Sequence, residues 1–240
     1  MESIPRPLLQ PDNMTDGELV AWQRKQLEDL WRIFNITGEF AKGYQQLSKL
    51  GPCITIFGSA RSQPGVHEYE LGVRAARACV ERGYGVITGG GPGIMEAANK
   101  GAAEAGGVSV GLNILLPHEQ GANVFVDRDK LVSFEFFFVR KTMLVKYAQG
   151  FIALPGGFGT LDELFEALTL IQTGKSTRFP VVLVGTKFWG SLVDWIRTAL
   201  LEGGYIGEAE LDLFHVTDDP EEAVAIIDDF YREHALAPNF

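Results

Sequence analysis

Short apolar runs alternate with amphipathic stretches along most of this chain. From residue 53 onward the runs end in glycine-rich turns, and the stretches between them repeat apolar positions at helical spacing. This pattern is typical of a parallel sheet that is covered by helices on both faces. We therefore predict strands at residues 53–57, 85–88, 108–113, 131–136, 151–154, 181–184 and 214–217, and helices at residues 66–82, 93–105, 138–148, 160–173, 189–201 and 220–233.

The first fifty residues have a different pattern. After a proline-rich lead, apolar residues between 15 and 50 recur at the spacing of a helical stripe, and the segment contains Trp22 and Trp31. Such a stripe implies a face that packs against the main body or against a second copy of the chain. We therefore predict an N-terminal helical extension over residues 1–50 and one doubly wound α/β domain over residues 51–240.

Composition and charge exclude several classes of protein. The chain has 240 residues, of which 46% are hydrophobic, and a formal net charge of −10. That charge argues against sequence-independent binding of nucleic acid, so any phosphate site must be local. The longest apolar runs are far shorter than the roughly 20 residues that span a bilayer. Two cysteines and no apolar leader segment favour the cytoplasm.

Five segments of unusual composition follow the first five predicted strands. In open parallel sheets, ligands bind beyond the carboxyl ends of the strands, where loops and helix starts converge. We therefore expect these segments to form one site. They are residues 58–61, residues 88–93, the loop that contains Glu119, the pair Arg140 and Lys141, and residues 155–160.

The loop after the fifth strand favours a bound phosphate. Gly156, Gly157 and Gly159 allow the backbone to approach a ligand closely, and the following helix start adds positive partial charge. The alternative is a plain strand-to-helix turn, in which Thr160 caps the helix and Glu163 completes a capping box. Spacing alone leaves both interpretations open.

Two further loops have weaker signals. Gly90 and Gly91 belong to a glycine-rich turn after the second strand, which supports a nucleotide-sized ligand only in combination with the loop after the fifth strand. Ser59 either donates its hydroxyl group to that ligand or caps a turn. Glu119, in a polar turn, has the pattern of a surface carboxylate.

Arg140 and Lys141 are cations at a predicted helix start, where the helix dipole disfavours positive charge. Arg140 offers planar, bidentate donors to a phosphate or a purine, whereas the alternative is a solvated pair or an ordinary salt bridge. The phenylalanines just before Arg140, at positions 134 and 136–138, are expected in the core. The four histidines are scattered without metal-ligand spacing, so we expect neither a metal site nor a histidine base. We also predict no cofactor.

These segments together resemble the LONELY GUY (LOG) family, once labelled lysine decarboxylases. The resemblance covers about residues 53–184, and its most specific motif is P-G-G-x-G-T-x-x-E at residues 155–163. It implies a Rossmann-like fold, a homodimer or larger homo-oligomer, and hydrolysis of the N-glycosidic bond of AMP or cytokinin riboside 5′-monophosphates. The phenylalanine-rich stretch before Arg140 and the N-terminal extension depart from the pattern of short members.

The resemblance also implies roles for individual residues. Arg140 and Glu163 correspond to the catalytic pair. The substrate-binding positions are Ser59, Gly90, Gly91, Glu119, Lys141, Gly156, Gly157, Phe158, Gly159 and Thr160.

Three other functions compete with this hydrolase. A noncatalytic nucleotide or cofactor carrier, similar to molybdenum-cofactor carriers, would share the glycine-rich sheet edge. A lysine decarboxylase would need pyridoxal phosphate and a Schiff-base lysine, for which no lysine has a suitable setting. An assembly protein would use the helical extension as its working surface.

Overall fold

The computed structural model describes residues 14–115, 121–236 and 238–240. Its contacts divide the chain into two compact units, Met1–Lys42 and Gly43–Phe240. The first unit consists, where described, mainly of helix α1 (Asp16–Leu47), which continues into the second unit. Thr15 and Glu18 form a reciprocal capping box at its start. Large apolar side chains along α1 are exposed: Val20, Trp22, Leu27, Leu30, Trp31, Ile33 and Phe34.

The second unit contains one sheet of seven parallel strands in the order β4-β3-β2-β1-β5-β6-β7. The strands are β1 (Cys53–Phe57), β2 (Gly85–Thr88), β3 (Ser109–Ile114), β4 (Leu131–Phe134), β5 (Ala148–Ala153), β6 (Val181–Val184) and β7 (His215–Thr217). The connecting helices are α2 (His67–Glu81), α3 (Ile94–Glu104), α4 (Phe137–Lys146), α5 (Phe158–Gln172), α6 (Thr186–Trp195) and α7 (Pro220–Glu233).

Both faces of the sheet are covered because successive side chains of each strand point in opposite directions. On one face, Ile54 and Ile56 of β1 share a buried cluster with residues of α2, α3 and α7. On the other face, Phe57 of β1 packs with residues of α4, α5 and α6. The predicted doubly wound α/β fold is confirmed.

Several predicted boundaries are wrong. The fifth strand begins at Ala148 rather than at 151, because Ala148 and Gly150 pair with β1 across a register irregularity. Helix α4 therefore ends at Lys146, before the predicted end at 148. The small residues at this junction have no helical or strand periodicity that would reveal the boundary.

The region predicted as one helix at 189–201 also differs. Helix α6 begins earlier, at Thr186, and the segment Ile196–Leu201 continues it as a π-helix. Two 3₁₀ segments, Arg128–Lys130 and Glu208–Leu213, were not expected from the pattern. From residue 51 onward, the remaining ends lie within two residues of the predicted ones, as is usual for helix and strand termini. The predicted helical extension ran to residue 50, whereas α1 ends at Leu47.

The phenylalanines before Arg140 are only partly in the core. Phe134 is fully buried in β4, but Phe137 and Phe138 are 51% and 50% exposed. The strand ends at Phe134, and Phe136 is the N-cap of α4. The chain therefore leaves the sheet within this cluster, and the expectation that all four rings are core was wrong.

The strand order creates a crevice beside β1. The chain moves outward from β1 to β4 and then returns to the other side of β1 to form β5. Such a reversal is where open α/β sheets bind their ligands, at the carboxyl ends of the strands. None of the helices in the described residues is long and apolar enough to cross a membrane.

Candidate active site

A cavity of about 690 Å³ lies at the carboxyl ends of the central strands. This volume is within the roughly 300–1,000 Å³ that is typical of small-molecule sites. Four of the five segments predicted to converge contribute to its walls, since residues 58–61, Gly89 and Gly91, Arg140, and residues 157–160 all line it. The fifth candidate, Glu119, lies outside the described residues.

Helix α5 starts at this cavity without a side-chain cap. Its N-cap is Gly157, which has no side chain to accept a hydrogen bond from the first turn. Thr160 is the third residue of the helix, so the capping box of Thr160 and Glu163, which was the alternative interpretation of this loop, is not formed. The N–H groups of residues 158–160 have no acceptor within the helix. Together with the helix dipole, they suit an anion such as a phosphate.

The loop that leads into α5 packs tightly against the end of β1. The Ser59 N–H donates to the Pro155 carbonyl over 2.9 Å. A Cβ atom at Gly156 would overlap Thr160 Oγ1 and lie 2.9 Å from Ser59 N, so only glycine fits. The Ser59 hydroxyl oxygen accepts from the Arg61 N–H over 3.1 Å. This hydrogen bond caps the turn, as one of the two sequence interpretations expected. The hydroxyl hydrogen of Ser59 can still be donated to a ligand.

Arg140 and Glu163 meet inside the cavity. Arg140 Nη1 lies 4.0 Å from Glu163 Oε1, and the two side chains are only 12% and 13% exposed. The Arg140 Nε–H donates to the Leu112 carbonyl of β3 over 2.7 Å. Helices α4 and α5 thus bring the pair together, and the neighbouring strand orients the guanidinium group.

Glu163 has an altered acidity. Burial raises its pKa to about 7, although the positive charges of Arg140 and Lys141 act in the opposite direction. Near neutral pH both the protonated and the ionised form of this carboxyl group are therefore populated. A strongly shifted pKa in a cleft, with a specific charged neighbour, is a common property of catalytic groups.

Lys141 does not line the cavity; it lies between α4 and α5. Its Nζ atom is 3.0 Å from Asp162 Oδ2 and 3.0 Å from Glu166 Oε2. Burial alone would lower the pKa of the ammonium group, but the hydrogen bonds and charges of the two carboxylates raise it above its ordinary value.

The remaining candidates occupy the rim and a glycine turn. Phe158 is 90% exposed at the cavity mouth. Gly90 does not line the cavity, but its N–H donates to the buried Thr88 hydroxyl over 2.9 Å. Gly91 lies on the cavity wall itself.

A buried polar network beneath that turn was missed by sequence reasoning. The Asn123 side-chain amide donates to the carbonyls of Gly90 and Gly91 and to Asn99 Oδ1, over 2.9 to 3.1 Å. Asn99 is fully buried and accepts from the Thr88 hydroxyl. The signal for Asn99 was a polar residue on the apolar face of α3, whereas nothing in the sequence distinguishes Asn123.

Comparison with known proteins identifies the family. A sequence model described as "Possible lysine decarboxylase", the former label of the LOG family, matches residues 95–227, which is more than half of the chain. The chain belongs to this family. The resemblance carried by the P-G-G-x-G-T-x-x-E motif is therefore confirmed.

Two relatives within the LOG family have named activities. The chain is 32% identical over 161 residues to a cytokinin riboside 5′-monophosphate phosphoribohydrolase of Mycobacterium tuberculosis, covering 65% of this chain and 82% of that protein. It is 30% identical over 197 residues to the protein named cytokinin riboside 5′-monophosphate phosphoribohydrolase LOG from Oryza sativa subsp. japonica, covering 76% and 79%.

A solved structure with the same fold has a different description. The molybdenum cofactor binding protein from Rippkaea orientalis superimposes with a TM-score of 0.56 and 20% identity, covering 76% of this chain and 98% of that one. At this identity the likeness concerns the fold alone.

Proposed function

We propose that this LOG-family protein hydrolyses the N-glycosidic bond of a purine nucleoside 5′-monophosphate and releases the free base and ribose 5-phosphate. The substrate class is AMP or an N6-modified, cytokinin-type AMP. The named activities of two relatives support this reaction. No cofactor is required, because water is the only co-reactant.

The observation that carries the proposal is the position of Glu163 relative to the start of α5. The uncapped N–H groups of residues 158–160 offer a phosphate site, and the Glu163 side chain lines the same cavity less than one turn further along the helix. A substrate held by its 5′-phosphate would therefore present its ribose to the carboxyl group. Holding reactants in this way removes much of the entropic part of the barrier.

The proposed chemistry follows from that arrangement. The bond between C1′ and the purine nitrogen breaks, its electron pair leaves with the base, and a water oxygen bonds to C1′. The base takes up a proton and the attacking water loses one. The Glu163 carboxylate stabilises the oxocarbenium-like transition state and accepts the water proton. Arg140 supplies positive charge for the phosphate or for the departing purine.

A panel of substrates tests the proposal. AMP, an N6-modified AMP, ATP and adenosine are each incubated with the protein, and free base is measured by chromatography. We expect kcat/KM for a monophosphate to exceed that for adenosine by about 100-fold or more, because the phosphate supplies charge-assisted bonds at the helix start. Equal rates for AMP and adenosine would contradict the phosphate site.

The main alternative is a noncatalytic carrier. The fold resembles that of a molybdenum cofactor binding protein at 20% identity. A likeness at this identity says nothing about activity. A carrier would bind a nucleotide and release no base. The hydrolase is favoured because a carrier has no use for the buried pair of Arg140 and Glu163.

The rate should rise with pH. With a pKa of about 7 for Glu163, most of this group is protonated at pH 6 and ionised at pH 8. Since the carboxylate is the active form, we expect kcat/KM for AMP to increase about tenfold between these values. A steady-state profile from pH 5.5 to 8.5 measures this. A rate that is flat or falls over that interval would contradict the proposed role.

We also propose that the chain forms a homodimer or larger homo-oligomer through the exposed apolar face of α1. Scattered exposed apolar residues need no explanation, but a continuous face of this kind usually has a partner. The double variant Leu27→Asp, Trp31→Asp should convert the full-length protein to a monomer, as measured by light scattering after gel filtration.

The control for this assembly test changes the charge equally on the other side of α1. Ala21→Asp combined with Lys25→Gln should leave the mass in solution unchanged. A wild-type protein that is already monomeric, or an oligomer that survives the apolar double variant, would overturn the assembly role of α1.

The compartment that we propose is the cytoplasm. Cys53 and Cys79 are buried and unpaired, and unpaired cysteines are typical of reducing environments. Fractionation of cells that express the full chain would test this. Recovery outside the cytoplasmic fraction would contradict it.

A further inference from the structure

Lys141 joins the same two helices that carry the proposed catalytic pair. It follows Arg140 on α4, and its carboxylate partners Asp162 and Glu166 lie on either side of Glu163 along α5. The contact between Arg140 and Glu163 is long, at 4.0 Å between Nη1 and Oε1. The two contacts of Lys141, at 3.0 Å each, are the shorter ion pairs between α4 and α5.

The position of the Lys141 ammonium group is poorly suited to contact with substrate. The side chain is 15% exposed, and Lys141 is not among the residues that line the cavity. Two carboxylates already surround the ammonium group, so a phosphate that approached it would meet their negative charges. The negative charges of two bound carboxylates offset the positive charge of the ammonium group, so its attraction for a further anion is weak.

Lys141 also affects the ionisation of Glu163. Arg140 and Lys141 of α4 favour the ionised form of Glu163, whereas Asp162 and Glu166 of α5 oppose it. Asp162 itself lines the described cavity wall, as does Arg61 from the loop after β1. Without Lys141, two uncompensated carboxylates would flank Glu163 and would also oppose a phosphate at the start of α5.

We propose that Lys141 is a positioning residue, which braces α4 against α5 and offsets the two carboxylates beside Glu163, and that it does not bind the substrate. This inference rests on the proposed hydrolase function. It replaces the substrate-binding role that the family resemblance implies for Lys141.

Kinetics of Lys141→Met in the full-length protein test the inference. We expect kcat for AMP to fall about tenfold or more at pH 7, with KM changed less than about threefold. The rising limb of the pH profile should move upward by about one pH unit, because an opposite charge close to Glu163 is lost. Lys141→Arg, which keeps a cation, should restore most of kcat and the original pH profile.

Lys130→Met is a matched control. Lys130 also pairs with two carboxylates, Asp127 and Asp129. It directly precedes β4 and so lies at the amino end of that strand, whereas the cavity lies at the carboxyl ends of the central strands. This variant should leave kcat, KM and the pH profile unchanged. If Lys141→Met does not fold, as judged by circular dichroism, Lys141→Gln is measured instead.

Two results would overturn the inference. A rise in KM with unchanged kcat and pH profile would assign Lys141 to substrate binding, and no change in any parameter would remove it from the site. An NMR titration of the Glu163 carboxyl carbon, assigned with Glu163→Gln, needs no turnover. A higher pKa of Glu163 in Lys141→Met supports the positioning role of Lys141. This holds even if no nucleotide is hydrolysed, a result that would refute only the proposed function. An unchanged pKa of Glu163 overturns the positioning role.

Discussion

Glu163→Gln should lower the release of adenine from AMP by about 1,000-fold or more. The amide has nearly the same shape as the carboxyl group, but it cannot carry negative charge or accept the proton of the attacking water. The change removes the reacting group and leaves the walls of the cavity in place. Steady-state chromatography of free adenine, with a 1,000-fold excess of variant enzyme over wild type, gives the required range.

The matched control is Glu81→Gln, on the exposed surface of α2, which should retain wild-type turnover. Comparable loss in both variants would mean that the assay reports general damage. Turnover of Glu163→Gln within tenfold of wild type would remove Glu163 from the mechanism.

The same substitution should increase stability at alkaline pH. The folded-state pKa of Glu163 is raised to about 7 from an ordinary value of 4.5, so folding favours the protonated form. The contribution of this group to stability is fully present below pH 4.5 and is lost as the pH rises through about 7. Glutamine cannot ionise. At pH 8 the free energy of unfolding of Glu163→Gln should therefore be about 1 to 3 kcal/mol higher than that of wild type. At pH 4.5 the two proteins should have similar free energies of unfolding.

Gly89→Ala should lower turnover of AMP by about 100-fold with little change in stability. A Cβ atom at this position would overlap Arg140 Nη2 and lie 2.6 Å from Met95 Sδ. Both atoms are at the ends of flexible side chains, so the fold can accommodate the methyl group by moving them. The displaced guanidinium group would then lose its orientation toward Glu163, and misplacement of about 1 Å can cost two orders of magnitude in rate.

Gly190→Ala is the control for Gly89→Ala, because a Cβ at Gly190 in α6 meets no atom within 4 Å. It should keep wild-type kinetics and a similar melting temperature. Wild-type activity in Gly89→Ala would show that the position of Arg140 does not matter. A large loss of stability would show that the added methyl group displaces the backbone and not the Arg140 side chain.

The fold was predictable because its signals are local. Runs such as Val181–Val184 are continuous apolar segments bounded by turn residues, which is the pattern of a strand buried on both faces. The start of α7 was equally clear, since Asp219 caps a helix whose first residue is Pro220. Boundaries failed where composition is neutral, as at Ala148, whose strand assignment depends on pairing with β1.

The site was predictable only at the level of segments. Glycine-rich loops after consecutive parallel strands must meet at one edge, so the convergence of residues 58–61 with residues 157–160 followed from topology. The partners of Lys141 could not be predicted, because they depend on how closely α4 approaches α5. The raised pKa of Glu163 is likewise a consequence of burial, which spacing along a helix does not reveal.

Analysis of the products of AMP tests the central claim most directly. The full-length protein is incubated with AMP at pH 8, and the products are separated and identified by mass spectrometry. We predict adenine and ribose 5-phosphate in equal amounts, with the wild-type yield abolished in Glu163→Gln. Adenosine with inorganic phosphate, or bound AMP that is recovered intact, would contradict cleavage at C1′.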